Sequence, residues 1–417
     1  MSRKLVPQDL VRPRDDGVEY NRHCAVAIPV KDEAVRLPRC LRALASQRDK
    51  LKRSLPTESF RVVIFANNCT DNSAKVARSM SAHLSMPVLV VEAALPPAEA
   101  HAGNARRAAM DMAETWLMER GPGGVILTTD ADSEVPADWV ANNLAAVDSG
   151  ADAVLGHIAL DEEGELLPEA LHRRGCLEGA YETLLTELSS LLDPIASNPW
   201  PHHATISGAS LAVTVEAYRR VGRLPRVPLG EDKALVAELL RHDARIRFSP
   251  GIQVITSGRV NGRAPGGVAD TLRFRSREPE AYCDDALEPF HTAMTRARSR
   301  RQLRFLRRRG ELSEAGEWRI FLGVSHECAR RVVHAGTFGA AWSIVEAESS
   351  LLRRRLLRPA DLPDEIAGAR RALLRLREQE LPARENVEPK RLVAVLSNDL
   401  GDRICEIDEE FGGLVTA

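Results

Sequence analysis

The 417-residue chain has no Cys-x-x-Cys pair, no internal repeat and almost no net charge. It also has no apolar run near the roughly 20 residues needed to cross a bilayer. Its cysteines, at positions 24, 40, 69, 176, 283, 328 and 405, are scattered. That scatter argues against a zinc ribbon or a disulfide scaffold and fits a reducing compartment. The opening segment MSRKLVPQDLVRPRDDG holds no apolar core, so no signal peptide is expected and a cytoplasmic location is. A formal net charge of −2 supplies no bulk field for a nucleic-acid partner. The absence of a fixed period excludes a solenoid. What is present, 44% hydrophobic and 28% charged residues, is ordinary globular composition. The length allows one large domain plus a second unit.

From His23 to about Val154, apolar runs of strand length alternate with segments of helical period. Ala25–Val30, Val62–Ala66, Val88–Ala93, Val125–Thr129 and Ala153–Ile158 are continuous apolar runs. Behind the first lie Leu37, Cys40, Leu41 and Leu44; behind the second, Val76, Met80 and Leu84; behind the third, Ala105, Ala109, Met112 and Trp116. Each set has the spacing of one helical face. A helix carrying Val140, Leu144 and Val147 is expected to begin near Pro136. Apolar strands each followed by a helix predict an α/β fold with a mostly parallel central sheet and helices on both faces. Residues 160–200 read as a helical insertion ending in the loop SNPWPHH. Further strands are expected at Ile206–Val215 and Arg247–Thr256, with a helix at Glu231–Leu240 between them. Beyond about Arg273 the chain turns to Arg-rich helix. It is dense in arginine at 296–309 and again at 353–377, where Ile366, Ala369, Leu373 and Leu376 form an apolar face.

The strand Val125-Ile126-Leu127 runs straight into Asp130-Ala131-Asp132. Two carboxylates at the carboxyl end of a buried strand suit a divalent cation, Mg²⁺ or Mn²⁺, with a phosphorylated ligand. The first strand runs into Pro29-Val30-Lys31-Asp32-Glu33 and the second into Asn67-Asn68-Cys69-Thr70-Asp71, where a nucleoside would lie. Thr70 or Asp71 can equally cap the next helix. Gly103 permits close backbone approach at a helix start, and Arg106 or Arg107 offers donors to a diphosphate. Gly208 lies early in a strand-like run. Glu231 and Asp232 open a helix, where acidic residues also complement the dipole.

Taken in order, IPVKDE, FANNCTDNSAKVA, GNARRAAMDMA, TTDADSEVPADWV, SGASLAV and GEDKAL resemble the inverting family-2 glycosyltransferases of the GT-A fold. The resemblance covers about residues 22–270. It implies an N-terminal extension at 1–21, a GT-A glycosyltransferase domain at 22–270 and a helical region at 271–417. It further implies a metal-dependent transfer of sugar from a nucleotide-diphosphate donor to a hydroxyl acceptor. Position by position, it places Pro29, Asp32, Glu33, Asn67, Asn68, Gly103, Arg106, Arg107, Asp130 and Ala131 on the nucleotide-sugar. Asp130 and Asp132 become the metal carboxylates, and Asp232, with Glu231 beside it, the catalytic carboxylate. Asn67 departs from the family's usual Asp, so the base is open, with a UDP-sugar favoured over a GDP-sugar as donor. His202, His203 and Gly208 are assigned to the acceptor side.

The family often supplies a third metal ligand as a late His, but after Ile252–Ile255 this chain has Thr256-Ser257-Gly258-Arg259. Water, His202 or His203 would then complete the site. The loop carrying Arg259, Arg263, Gly266 and Gly267 could close over the diphosphate. A phosphatase of the Asp-x-Asp type would want Thr soon after the pair, and a nucleotidyltransferase a Gly-rich loop after the first strand; neither is present. The non-enzyme alternative is a glycosyltransferase-like scaffold that binds a nucleotide or partner. The Arg cluster at 296–309 suggests solvated helix faces, packing on the catalytic domain, a homodimer contact, or peripheral contact with anionic lipid.

Overall fold

The computed structural model describes residues 22–56, 58–161, 168–259, 262 and 266–384. The expected extension at 1–21, Arg263, and the chain after 384 lie outside the described residues. In chain order the elements are β1 (Cys24–Val30), α1 (Leu37–Ala45), β2 (Phe60–Asn67), α2 (Ser73–Ser81), β3 (Val88–Ala93), α3 (Ala102–Met118), β4 (Val125–Thr128) and β5 (Ser133–Glu134). Then follow α4 (Trp139–Asp148), β6 (Ala153–Asp161), α5 (Glu169–Leu192), β7 (Leu211–Thr214), α6 (Val215–Arg220), α7 (Glu231–Arg241) and β8 (Ile246–Ser257). The chain continues through α8 (Val268–Arg277), α9 (Phe290–Arg308), α10 (Glu317–Phe321), α11 (His326–His334), α12 (Phe338–Glu348) and α13 (Leu362–Arg384).

The strands form one mixed sheet in the order β3-β2-β1-β4-β7-β6-β8-β5. Its first four strands are parallel, β7 runs against both neighbours, and β6 and β8 are parallel to each other. Successive side chains of a strand point to opposite faces, and both faces are covered. Cys24, Val26, Ile28 and Val30 pack with Leu37, Leu41 and Leu44 of α1 and Trp139 and Leu144 of α4. Ala25 and Ala27 pack with Ala105, Ala109 and Met110 of α3 and Leu235 and Leu239 of α7. This two-sided burial is why the strands read as unbroken apolar runs rather than alternating ones.

Three expectations shift. The strand foreseen at Ile206–Val215 shortens to β7, because the backbone of Gly208 bonds instead to Arg106 and Asp232. The helix foreseen near Pro136 begins at Trp139. The segment 353–377 is not α-helical until Leu362, after a 3₁₀ turn at Pro359–Asp361, and then Ile366, Ala369 and Leu373 are buried as expected. β5, only two residues long, gave no periodic signal and closes the sheet against β8.

The Arg-rich helices form a second packed body that takes in α5. Tyr181, Leu185 and Leu188 of α5 share a core with Ala293 of α9 and Ile366, Ala369 and Leu373 of α13. The arginines of α9 have internal partners. Arg296 donates to Glu288 and Glu346, and Arg307 to the carbonyl of Ala335. Arg300 lies 2.5 Å from Asp193, the fully buried carboxylate that ends α5, and Arg304 joins the same group. The cluster therefore has a packing explanation within this chain. Among the described residues no helix is long and apolar enough to cross a membrane. Removing one member of a buried ion group strands the others without a counter-charge. Asp193→Ala should cost about 3 kcal/mol by that principle, visible as a lower denaturant midpoint; an unchanged midpoint would show that Arg300 and Arg304 do not depend on it.

Candidate active site

Parallel pairing puts the carboxyl ends of β2, β1 and β4 on one sheet edge, with Val30 opposite Ala66 and Ala27 opposite Thr128. Because β7 is antiparallel and Leu211 lies opposite Thr128, the turn containing Gly208 arrives at the same edge. The polar strand ends noted in the sequence are thus gathered by topology alone. Past β4, the Ala131 methyl turns into the core, while the Asp130 side chain stays partly exposed and Asp132 sits more deeply.

Arg106 is the centre of the site's framework. It enters from the first turns of α3 and is buried. Its Nε donates to Glu231 Oε1 at 2.9 Å, Nη1 to Thr128 Oγ1 at 2.8 Å and to the Gly208 carbonyl at 2.9 Å, and Nη2 to Asp130 Oδ1 at 2.6 Å. Burial alone would lower its pKa, but Asp130 and Glu231 more than reverse this and raise it, so the guanidinium stays charged. With two carboxylates already on it, Arg106 positions protein groups instead of facing a diphosphate as the sequence suggested. Arg107 turns away, donating to the Leu224 carbonyl and pairing with Asp111. Two glycines make room for the framework. A Cβ on Gly208 would lie 2.5 Å from Arg106 Cζ, and one on Gly103 would lie 2.4 Å from the Val227 carbonyl oxygen.

Glu231 and Asp232 begin α7 and diverge. Glu231 is buried on Arg106. Asp232 is less buried; its Oδ2 accepts from the Gly208 amide at 2.9 Å and its Oδ1 from the Lys233 amide at 2.7 Å. Backbone donors at a helix start hold a carboxylate in one orientation. Of the two, Asp232 is the more exposed.

Beside Asp130, Asp132 faces Arg259. Arg259 Nη2 lies 3.2 Å from Asp132 Oδ2, and its fork grips Glu33, with Nη1 2.9 Å from Oε2. Burial pushes the Asp132 carboxyl up to about 6, and the charges of Asp130 and Glu33 add to this while Arg259 opposes it. Asp130 and Asp132 present hard carboxylate oxygens on one turn past the end of β4, the donor type that divalent cations such as Mg²⁺ take. The donor set of Asp130 and Asp132 therefore fits Mg²⁺ or Mn²⁺.

The nucleoside side is a net of turns. Asp32, at φ 53°, accepts from the Thr70 amide at 2.5 Å and the Asp71 amide at 3.2 Å. Burial would raise its pKa, but these amides and Lys31 lower it below the usual range. Asp71 accepts from the Ser73 amide in the turn before α2, but the N-cap is Asn72, which makes no side-chain cap bond, so neither Thr70 nor Asp71 is the cap. Asn68 uses both ends of its amide on Leu95. Asn67 is buried at the end of β2, its side-chain amide oxygen without a hydrogen-bond partner among the described residues, and Pro29 lies on β1 opposite Phe65, two positions back along β2. Asp32, Cys69 and Asp71 bring ligand-type atoms within 4.8 Å of one another. Their carboxylates, however, already accept backbone amides, and burial first of all raises the Cys69 thiol, so this is a hydrogen-bonded turn.

His202 and His203 are packed in their own loop. His202 contacts Ser190 Oγ at 2.9 Å, and the His203 ring meets those of His157 and Phe248 edge-on. Burial, aided by His157, pushes His203 down to about 4. The folded state then binds fewer protons than the unfolded state between pH 6.5 and 4, so stability falls as pH drops through that window. His203→Gln should flatten this acid loss, worth on the order of 1–3 kcal/mol; an equally steep decline in the variant would assign it to other groups. Thr128 and Ser73, whose hydroxyl accepts from the Glu33 amide at 2.7 Å and donates to Asp71 Oδ1 at 2.5 Å, were missed. Thr128 had one signal, a Thr-Thr pair closing an apolar strand.

The sheet gathers an Asp-x-Asp pair and a helix-borne carboxylate on the edge where parallel strands end. Residues 25–205 match the family described as Glycosyl transferase family 2. Among solved structures the chain is similar to the mannosyltransferase PcManGT from Pyrobaculum calidifontis in complex with GDP-Man and Mn²⁺. The identity is 15% over 81% of this chain and 77% of that one, with a TM-score of 0.40. It is also similar to S. aureus TarS 1–349 in complex with UDP, at 13% identity over 89% and 94%, TM-score 0.40. No curated protein matches the sequence.

Proposed function

We propose that the protein transfers a sugar from a nucleoside-diphosphate donor to a hydroxyl acceptor with inversion at the anomeric carbon. The observation that carries this is the shared framework. Arg106 fixes Asp130 and the Gly208 turn, and the Gly208 amide in turn fixes Asp232. One rigid unit thus spans the leaving-group side and the acceptor side. Residues 22–270 would hold the donor and the chemistry, with α5 seated on the helices of 271–384.

On this reading Asp32, Asn67 and the turn at Asn68 take the nucleoside. The free side-chain carbonyl of Asn67 suits a ring N–H of the base. UDP is the favoured nucleotide. Asp130 and Asp132 would hold Mn²⁺ or Mg²⁺, which supplies positive charge to the departing diphosphate. The acceptor hydroxyl attacks the anomeric carbon from the opposite face while Asp232 takes its proton. The bond from that carbon to the diphosphate oxygen breaks, and the nucleoside diphosphate leaves. Glu231, buried on Arg106, positions rather than transfers. His202, His203 and Gly208 flank the acceptor side. The test is release of UDP or GDP from a panel of sugar nucleotides with Mn²⁺ and hydroxyl acceptors, followed by the anomeric configuration of the product. A retained configuration would remove the single-displacement role of Asp232.

A further inference from the structure

Two carboxylate–guanidinium–carboxylate groups meet at the acidic edge. One is Asp130–Arg106–Glu231; the other is Glu33–Arg259–Asp132. They differ in how they are held. Arg106 is buried inside the fold, fixed at four points. Arg259 lies two residues past the end of β8 and grips Glu33 with both ends of its fork. Its Nη2, which also donates to Glu33, lies 3.2 Å from Asp132 Oδ2. Thr256 Oγ1 lies 3.5 Å from the other Asp132 oxygen. The Asp132 contact is thus the weakest link of the second group, and the one that can part while Arg259 stays anchored on Glu33.

We propose that Arg259 is a built-in counter-cation of the metal site, competing with the divalent ion for Asp132. This rests on the reading of Asp130 and Asp132 as the metal carboxylates. Without nucleotide, Arg259 neutralises Asp132 and keeps the affinity for metal alone low. When a cation takes Asp132, the guanidinium nitrogen that faced it is released at the site, still held by Glu33, where it can donate to a diphosphate oxygen. Metal and nucleoside diphosphate then assist each other, because the first relieves the contact that the second reuses. Arg259 therefore sits where the family's late His would stand in sequence, yet acts as a positioning residue with charge opposite to a ligand's.

The experiment is titration of MnCl₂ alone into the full chain, followed by the free Mn²⁺ signal in electron paramagnetic resonance. Arg259→Gln should bind Mn²⁺ about tenfold tighter than the parent, the scale of one partly buried ion pair. With saturating Mn²⁺ the same variant should bind UDP more weakly than the parent, and in EDTA the two should differ little. Glu33→Gln/Arg259→Gln removes the buried partner carboxylate with the arginine and keeps the test valid if the single variant folds poorly. Unchanged or weaker Mn²⁺ affinity in the folded variants overturns the proposal. Asp132→Asn separates this from failure of the underlying reading. If it leaves Mn²⁺ binding untouched, the ion does not use Asp132, and both the metal site and the role of Arg259 fall together.

Discussion

Replacing Asp232 by Asn is expected to lower turnover by about 10²–10⁴-fold, the usual contribution of a positioned general base, with UDP affinity nearly unchanged. The side chain keeps its shape, and the amide oxygen can accept from either the Gly208 or the Lys233 amide. It cannot accept from both, because the amide nitrogen donates. A modest stability loss is therefore expected beside the large kinetic one. The two are separable: a loss through misplacement of the Gly208 turn would also loosen Arg106 and weaken nucleotide binding, whereas loss of the base would not. Near-parental turnover in a folded Asp232→Asn protein would assign proton removal to another group.

Arg106→Met should be the most damaging single change to the fold of the site. Methionine roughly keeps the volume but leaves Asp130 and Glu231 without their cation, and Glu231 is buried. Breaking a buried ion group from one side costs about 3–5 kcal/mol. The Thr128 hydroxyl and the Gly208 carbonyl lose a donor as well. Arg106→Lys should fail to restore stability, since one ammonium cannot reach four acceptors arranged around a planar fork. Chemical denaturation of both variants decides this; a lysine variant as stable as the parent would mean that charge, not the fork, is what the site requires.

The parallel half of the sheet was legible because burial on both faces makes β1, β2 and β4 continuous apolar runs, and because each ends abruptly in polar residues. The Asp130–Asp132 pair and the ordering of Asp232 after Gly208 were visible for the same reason. What connects them was not. Glu231 lies 125 positions from Arg106, and Glu33 lies 226 from Arg259. Ion pairs at such separations leave no periodic trace. That is also why the arginines of 296–309 read as an outward-facing patch, when Asp193, Glu288 and Glu346 take up several of them. Arg106 and Arg107 are adjacent in sequence, and only the packing of α3 against β4 and the Gly208 turn selects the first. Likewise α5 shows helical period, but its partner helices α9 and α13 lie more than a hundred residues further along.

The most direct test of the transferase reading is calorimetric titration of UDP and of GDP into the purified chain, first with Mn²⁺ and then with EDTA. Binding of UDP that falls sharply in EDTA, and that loses its metal dependence in Asp132→Ala, is the expected result. A folded protein that binds neither nucleotide, or binds one equally well with and without the metal, would contradict a metal-dependent donor site at Asp130 and Asp132.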